Sequence, residues 1–365
     1  MEHQFINVLE YVVGFLILLG VLIFVHELGH FLLAKILGVK VLKFSLGFPP
    51  AMVTRQWGET QYILSWIPFG GYVKLLGEEP DSEEEIPPEE LPRAFTNRPL
   101  SHRIAIVAAG PVFNYVSAVL LICAGYMAGW PVLASELGKI YEGTPAMEAG
   151  LKAGDDVVAI DGQPISRWDD MRALVEKHAG QPLTITVERD GKKLDLTVTP
   201  TLSGAKDMFG QPAGRIGVSP SGKYVDMSVL GRSYEGLRVS ANLTKLVVET
   251  LVRLVTGEMS AKALGGPITI AQASGESLKA GAFNFLFLIG YISINLAIIN
   301  LLPIPILDGG HLMFFIIEGI IRRPVTGKIR EVATQVGVLF IAFIFILVFY
   351  NDISRIVTKG WTLAP

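Results

Sequence analysis

The sequence predicts a polytopic α-helical membrane protein. It should have four transmembrane helices, a membrane-associated β-hairpin region and one extracytoplasmic α+β domain. Three observations carry that expectation. Half of the 365 residues are hydrophobic and only 18% are charged, where soluble domains carry about 25% charge; the mean hydropathy is +0.46. Four runs, Tyr11–His26, Ile104–Ser135, Ala280–Leu307 and Val332–Asn351, contain no Asp, Glu, Lys or Arg, and about 20 apolar residues suffice to cross a bilayer. Between the second and third runs lie strand-like alternations with Asp-Gly turns. The net charge of −3 gives no basic field for nucleic acid, and the single Cys123 excludes an internal disulfide or a thiolate metal cluster.

Residues 1–38 form the first transmembrane helix, provided that the run continues through His26, Glu27 and His30 to about Leu37. The opening MEHQF has no basic region and no small-residue cleavage site follows, so no cleaved leader is expected. Residues 39–103 are a cytoplasmic region. Strand runs such as QYILSWIPFGGYVKLL, within Val39–Leu76, suggest hairpins close to the membrane, and Glu78–Glu90, rich in acid and proline, is a solvated linker. Residues 104–130 are the second helix.

Residues 131–202 form the soluble domain, with strands at Val157–Gly162 and Leu183–Gly191 and a helical pattern at Asp169–Gly180. Residues 203–279 hold a Gly/Pro-rich connection near Gly210–Pro220 and an amphipathic helix over Ser233–Thr256, with Leu243, Leu246, Val247, Leu251 and Leu254 at helical spacing. Residues 280–321 are the third transmembrane segment, 322–331 a cytoplasmic loop, 332–351 the fourth helix and 352–365 a tail. Lys35, Lys40, Lys43, Arg93, Arg98 and Arg103 flank one loop, and Arg322, Arg323, Lys328 and Arg330 occupy another. Both loops should therefore face the cytoplasm, with both termini and the soluble domain outside.

The chemistry is concentrated in HELGH, His26–His30, at the end of the first run. Residues four apart share a helix face, so His26 and His30 can grip one metal while Glu27 reaches an attacking water; this is the H-E-x-x-H arrangement of zinc hydrolases. Ionisable residues at membrane depth are costly without a partner, which a Zn2+ ion supplies. A catalytic zinc takes three protein ligands. Asp308 and His311, in NLLPIPILDGGH, remain as candidates for the third. Pro303, Pro305, Gly309 and Gly310 break the helix there, which is tolerated only where backbone is buried in protein or lines a wet cavity. Alone, Asp308 would read as a helix cap; paired with HELGH it reads as a ligand.

HELGH together with the later N-x-x-P-x-P-x-L-D-G resembles the site-2 protease family of intramembrane zinc metalloproteases. GPVFN (Gly110–Asn114), WIPFGGYVKLLGE and GGPITIA are similar to the bacterial branch typified by the regulator of sigma E protease. The resemblance implies His26, His30 and Asp308 as zinc ligands, Glu27 as general base and Asn300 as a group holding the substrate or its oxyanion. It implies, too, a bacterial inner-membrane location and membrane-spanning protein substrates, an anti-sigma factor already cut once or a remnant signal peptide. His311 receives no role, and Asn114 is either a packing group or a substrate contact. EGTPAMEAGLKAGDDVVAIDGQPI (Glu142–Ile165) resembles a bacterial PDZ domain, a peptide binder or a cap over the cavity mouth; there is room for a single such domain where well-known members carry two. Two other readings are a non-catalytic membrane PDZ adaptor with a structural zinc, and an ion transporter. Glu27, kept beside all three candidate ligands, argues against the first; the lack of paired internal repeats argues against the second.

Overall fold

The computed structural model describes residues 2–78, 86–202, 212–323 and 325–359. In chain order the elements are α1 (Glu2–Ile36), β1 (Val41–Trp57), β2 (Thr60–Leu75), α2 (Leu100–Met127), β3 (Leu137–Ile140), α3 (Pro145–Glu148), β4 (Asp156–Ile160) and β5 (Gln163–Pro164). They continue with α4 (Trp168–Lys177), β6 (Leu183–Arg189), β7 (Lys192–Val198), β8 (Val218–Pro220), α5 (Val229–Val255), α6 (Pro267–Lys279), α7 (Ala282–Asn300), α8 (Asp308–Ile321) and α9 (Gly327–Lys359). The chain divides into two compact units, Met1–Gly125 with Gly236–Pro365, and Tyr126–Glu235.

The first unit makes the chain a polytopic membrane protein. Among the described residues four helices are long and apolar enough to cross a bilayer: α1 from Leu9, α2, α7, and α9 as far as Thr358. Helix α1 runs unbroken through His26, Glu27 and His30, as the span length requires. The third expected segment is broken into two helices at the prolines, as the sequence predicts. Helix α7 stops at Asn300, residues 301–307 turn, and α8 restarts at Asp308, because Pro303 and Pro305 cannot donate the backbone bonds that would carry the helix on. Helix α9 exceeds the apolar run at both ends.

Helix α6 went unanticipated from the sequence. It lies against α1, with the Gly14 backbone close enough to the Ser274 carbonyl that an added Cβ would stand 3.1 Å from it. Helix α5 is the expected amphipathic helix, longer at its N-terminal end.

Strands β1 and β2 fold back on each other twice. Phe44 of β1 pairs with both Tyr62 and Val73 of β2, and Ala51–Trp57 pairs with Thr60–Ser65. The strand segments therefore lie in the order 51–57, 60–65, 41–46, 71–75, and among the described residues Gly71–Leu75 is an outer segment paired in the sheet only on its β1 side. Phe48, Met52, Val53, Trp57 and Trp66 remain exposed, in keeping with hairpins at a membrane. The acidic stretch Glu79–Glu85 lies outside the described residues.

The second unit has a four-stranded antiparallel sheet, β5-β4-β6-β7, and a two-stranded sheet, β3-β8. Its core gathers Leu137, Val157, Ile160, Ile185 and Val187 with Met171 and Val175 of α4, a pair one helical turn apart. The expected boundary at residue 202 falls short. β8 pairs with β3, and Thr201 bridges Arg215, so residues 212–220 complete the unit. Asp155, nearly inaccessible, accepts from Arg189 Nε and Nη2 at 2.6 and 2.7 Å and from the Lys152 N–H at 2.8 Å. Burial disfavours its charge, but these bonds outweigh burial and hold the carboxyl below its ordinary pKa.

Candidate metal centre

His26 and His30 sit one turn apart on α1, and Asp308 opens α8. Their side chains converge: His26 Nε2 is 3.3 Å from His30 Nε2 and 3.1 Å from Asp308 Oδ2, and His30 Nε2 is 3.6 Å from Asp308 Oδ1. Ligands on a tetrahedral metal with bonds of about 2.0–2.2 Å stand roughly 3.3–3.6 Å apart; the two imidazole nitrogens stand at 3.3 Å, and the Asp308 carboxylate faces one ring with each oxygen, at 3.1 and 3.6 Å. His26, His30 and Asp308 also form a group able to hold a metal by proximity alone.

The donor chemistry agrees with the geometry. His30 Nδ1 lies 2.8 Å from the Ile106 carbonyl oxygen of α2. A carbonyl only accepts, so Nδ1 carries the proton and the Nε2 of a neutral ring presents a lone pair. That lone pair faces Asp308 Oδ1 at 3.6 Å, two acceptors turned toward each other, an arrangement that a bound cation satisfies.

The neighbouring elements are shaped to admit the rings. A Cβ at Gly110 of α2 would lie 2.3 Å from His30 Nε2 and 2.8 Å from His26 Cε1, so only glycine leaves the rings their place. Helix α2 itself contains Pro111, which cannot bond back to the Val107 carbonyl and opens the helix ladder beside the site. Glu27 is 8% exposed, and Gly71 of β2 lies beneath it; an added Cβ there would stand 2.9 Å from Glu27 Cγ.

A cavity of about 860 Å³ joins these groups. His26, Glu27, His30, Asp308 and His311 line it, and so does the outer strand segment Gly71–Leu75. It can therefore hold an attacking water, a carboxylate to take its proton, and an extended chain. Asn300, the last residue of α7, is not among the lining residues. Asn114 is fully buried, with Nδ2 3.3 Å from His26 Nδ1, so it meets a candidate ligand instead of the cavity. The Ile106 carbonyl escaped sequence reading because a backbone acceptor leaves no residue signature.

Comparison with known proteins places this geometry in context. The M50 peptidase family matches residues 14–344. A relative from Agrobacterium fabrum is 36% identical, covering 95% of this chain and 96% of its own. The regulator of sigma-E protease RseP of Salmonella typhimurium is 30% identical, covering 96% of this chain and 100% of its own over 456 aligned positions. The zinc metalloprotease RasP of Geobacillus kaustophilus is 30% identical, covering 96% and 99%.

Proposed function

This chain belongs to peptidase family M50 and is a zinc metalloendopeptidase of the site-2 type, embedded in a membrane, and we propose that its active site is built by His26, His30, Asp308 and Glu27. The first three hold the zinc, and the observation that carries the reading is their convergence at metal-ligand spacing. A zinc ion held there supplies an acidified water and a polarised scissile carbonyl. Glu27, buried at the cavity wall, takes the proton of the attacking water and delivers it to the departing amine.

The substrate is a single-pass membrane protein cut within or beside the bilayer. A helical substrate keeps its carbonyls in its own hydrogen bonds and must unwind before attack. Gly71–Leu75, unpaired on its outer side and lining the cavity, is the edge on which an unwound segment adds as a further strand. Kinship with RseP favours an anti-sigma factor after a first cut by another protease, with remnant signal peptides as a second class. Asn300 keeps the substrate-holding role that the family resemblance gives it, at the end of α7 just before the 301–307 turn that leads to Asp308.

The Tyr126–Glu235 unit is read as a single PDZ domain. The alignment with RseP, longer than this chain, leaves part of that relative without a counterpart here, which supports one domain where it has room for more. A groove of about 470 Å³ between α4 and Gly214–Val218 suits an extended peptide. By the distribution of Lys and Arg, both termini and this unit lie outside the inner membrane, and the site opens toward the cytoplasm.

The test is Glu27→Gln in purified protein with a membrane-spanning peptide. About one zinc per chain is expected in both forms, with cleavage by the wild type alone. Undiminished cleavage by the variant would remove Glu27 from the mechanism, and zinc binding without cleavage by either form would favour an adaptor.

A further inference from the structure

Beside the metal centre one polar side chain is buried, in contact with a candidate ligand, and unused by the proposed reaction. Asn114 is 0% exposed on α2. Its Nδ2 lies 3.3 Å from His26 Nδ1, and its Oδ1 is buried without a hydrogen-bond partner. Its backbone is pinned, since the Asn114 carbonyl accepts from Ser117 Oγ at 3.0 Å and from Ser293 Oγ of α7 at 2.9 Å.

We infer that Asn114 is a positioning residue for His26, whose Nδ1–H donates to Asn114 Oδ1 so that Nε2 stays bare for the metal. The inference rests on the zinc reading above. A neutral imidazole carries one ring proton, and a ring that gives Nε2 to a metal must carry it on Nδ1. Nδ1–H then needs an acceptor, and Asn114 is the side chain at that nitrogen. The two ends of an amide have the same shape. A half-turn about the last side-chain bond exchanges them in place, so that the oxygen gains the Nδ1–H donor and Nδ2 takes the buried position the oxygen leaves.

His30 is held by the same logic through the Ile106 carbonyl. Helix α2 therefore presents two acceptors, one side chain and one backbone, to the two rings of HELGH, with Gly110 between them leaving the rings room. An outer partner of this kind fixes both tautomer and ring orientation. The pattern GPVFN thereby acquires a physical reading: space at Gly110, an opened ladder at Pro111, and an acceptor at Asn114.

The experiment is zinc affinity of the full chain in detergent, by competition with a chelator, for wild type, Asn114→Asp and Asn114→Leu. Asp keeps the acceptor; Leu keeps the size and removes it. A ~10–100-fold loss of zinc affinity is expected for Leu, with Asp within a few-fold of wild type. Were Asn114 only a packing group, the order would reverse, Leu binding zinc normally and the buried carboxylate of Asp being the damaging change; that order, or equal losses in both, overturns the inference. Asn114→Ala, which removes the acceptor without adding bulk, carries the same expectation as Leu if that variant does not fold. His26→Ala separates the two levels. If it binds zinc like wild type, the ligand reading fails; if it loses zinc while Leu retains it, only the role of Asn114 fails.

Discussion

A methyl group at Gly110 would have nowhere to go, because the His30 ring occupies its place and the α2 backbone that carries it cannot withdraw without dragging Asn114 and the Ile106 carbonyl from the rings they face. Gly110→Ala is therefore expected to lower zinc content well below one per chain while the helical circular dichroism stays unchanged. Gly20→Ala is the control, since Gly20 also lies on a membrane helix but has open space around its missing Cβ; it should keep its zinc. Equal zinc content in the two variants would mean that the rings reach the metal from some other rotamer. At this scale much was legible in advance. His26 and His30 show by i, i+4 spacing, Glu27 by its place in H-E-x-x-H, and Asp308, a helix cap when taken alone, by its pairing with HELGH in one chain. Asn114 shows in the sequence only as a packing group or a substrate contact, because one amide in an apolar helix has no partner written beside it, and the Ile106 carbonyl does not show at all, because a carbonyl is the same at every residue.

Between elements, the junction of α6 with α9 is held by one buried carboxylate. Asp352 of α9, 1% exposed, accepts from the Gly266, Ile268 and Thr269 N–H groups at 3.0, 2.9 and 3.1 Å and from Thr269 Oγ1 at 2.5 Å. It thus satisfies the free N–H groups at the start of α6 from another helix, where a negative charge is favoured. Arg355, one turn further along α9, donates to Thr269 Oγ1. Asp352→Ala is expected to cost roughly 1–3 kcal/mol, read as a lower Tm in detergent, with zinc content unaltered because no metal-centre residue is involved. An unchanged Tm would show that water caps α6 equally well.

The apolar runs revealed the four spanning helices because length and hydropathy suffice for that. They did not reveal α6: PITIAQASGESLK is neither apolar enough for a span nor strongly patterned, and its N-terminus is completed by a residue more than 80 positions away. The double pairing of β1 with β2 was hidden for a similar reason. Strand character shows in GYVKLL and VLKFSL, but which segment takes the outer place depends on bends around Gly47 and Gly70, where φ is positive, and those bends are set by what the hairpin packs on.

At the scale of the whole molecule, the division into two compact units means that the outer one should be removable without loss of the metal centre. The cut must respect strand pairing. A deletion of residues 131–202, the domain as the sequence suggests it, would remove β3 and leave β8 with no partner and Arg215 without its bridge to Thr201. The remnant would expose unpaired strand edges, which invite aggregation. Replacing residues 131–226 by a short flexible linker takes both partners of every such pair and leaves α5, which starts at Val229, to refold on its own sequence. That variant is expected to bind about one zinc per chain and to cut a membrane-spanning peptide that has no bulky outer portion. Its choice among substrates that differ outside the membrane should change relative to the full chain. Identical selectivity in both forms would mean that the outer unit neither binds nor screens the substrate. Loss of zinc would mean that the centre depends on the outer unit, and the four spanning helices with their hairpin could no longer be regarded as a complete catalytic body.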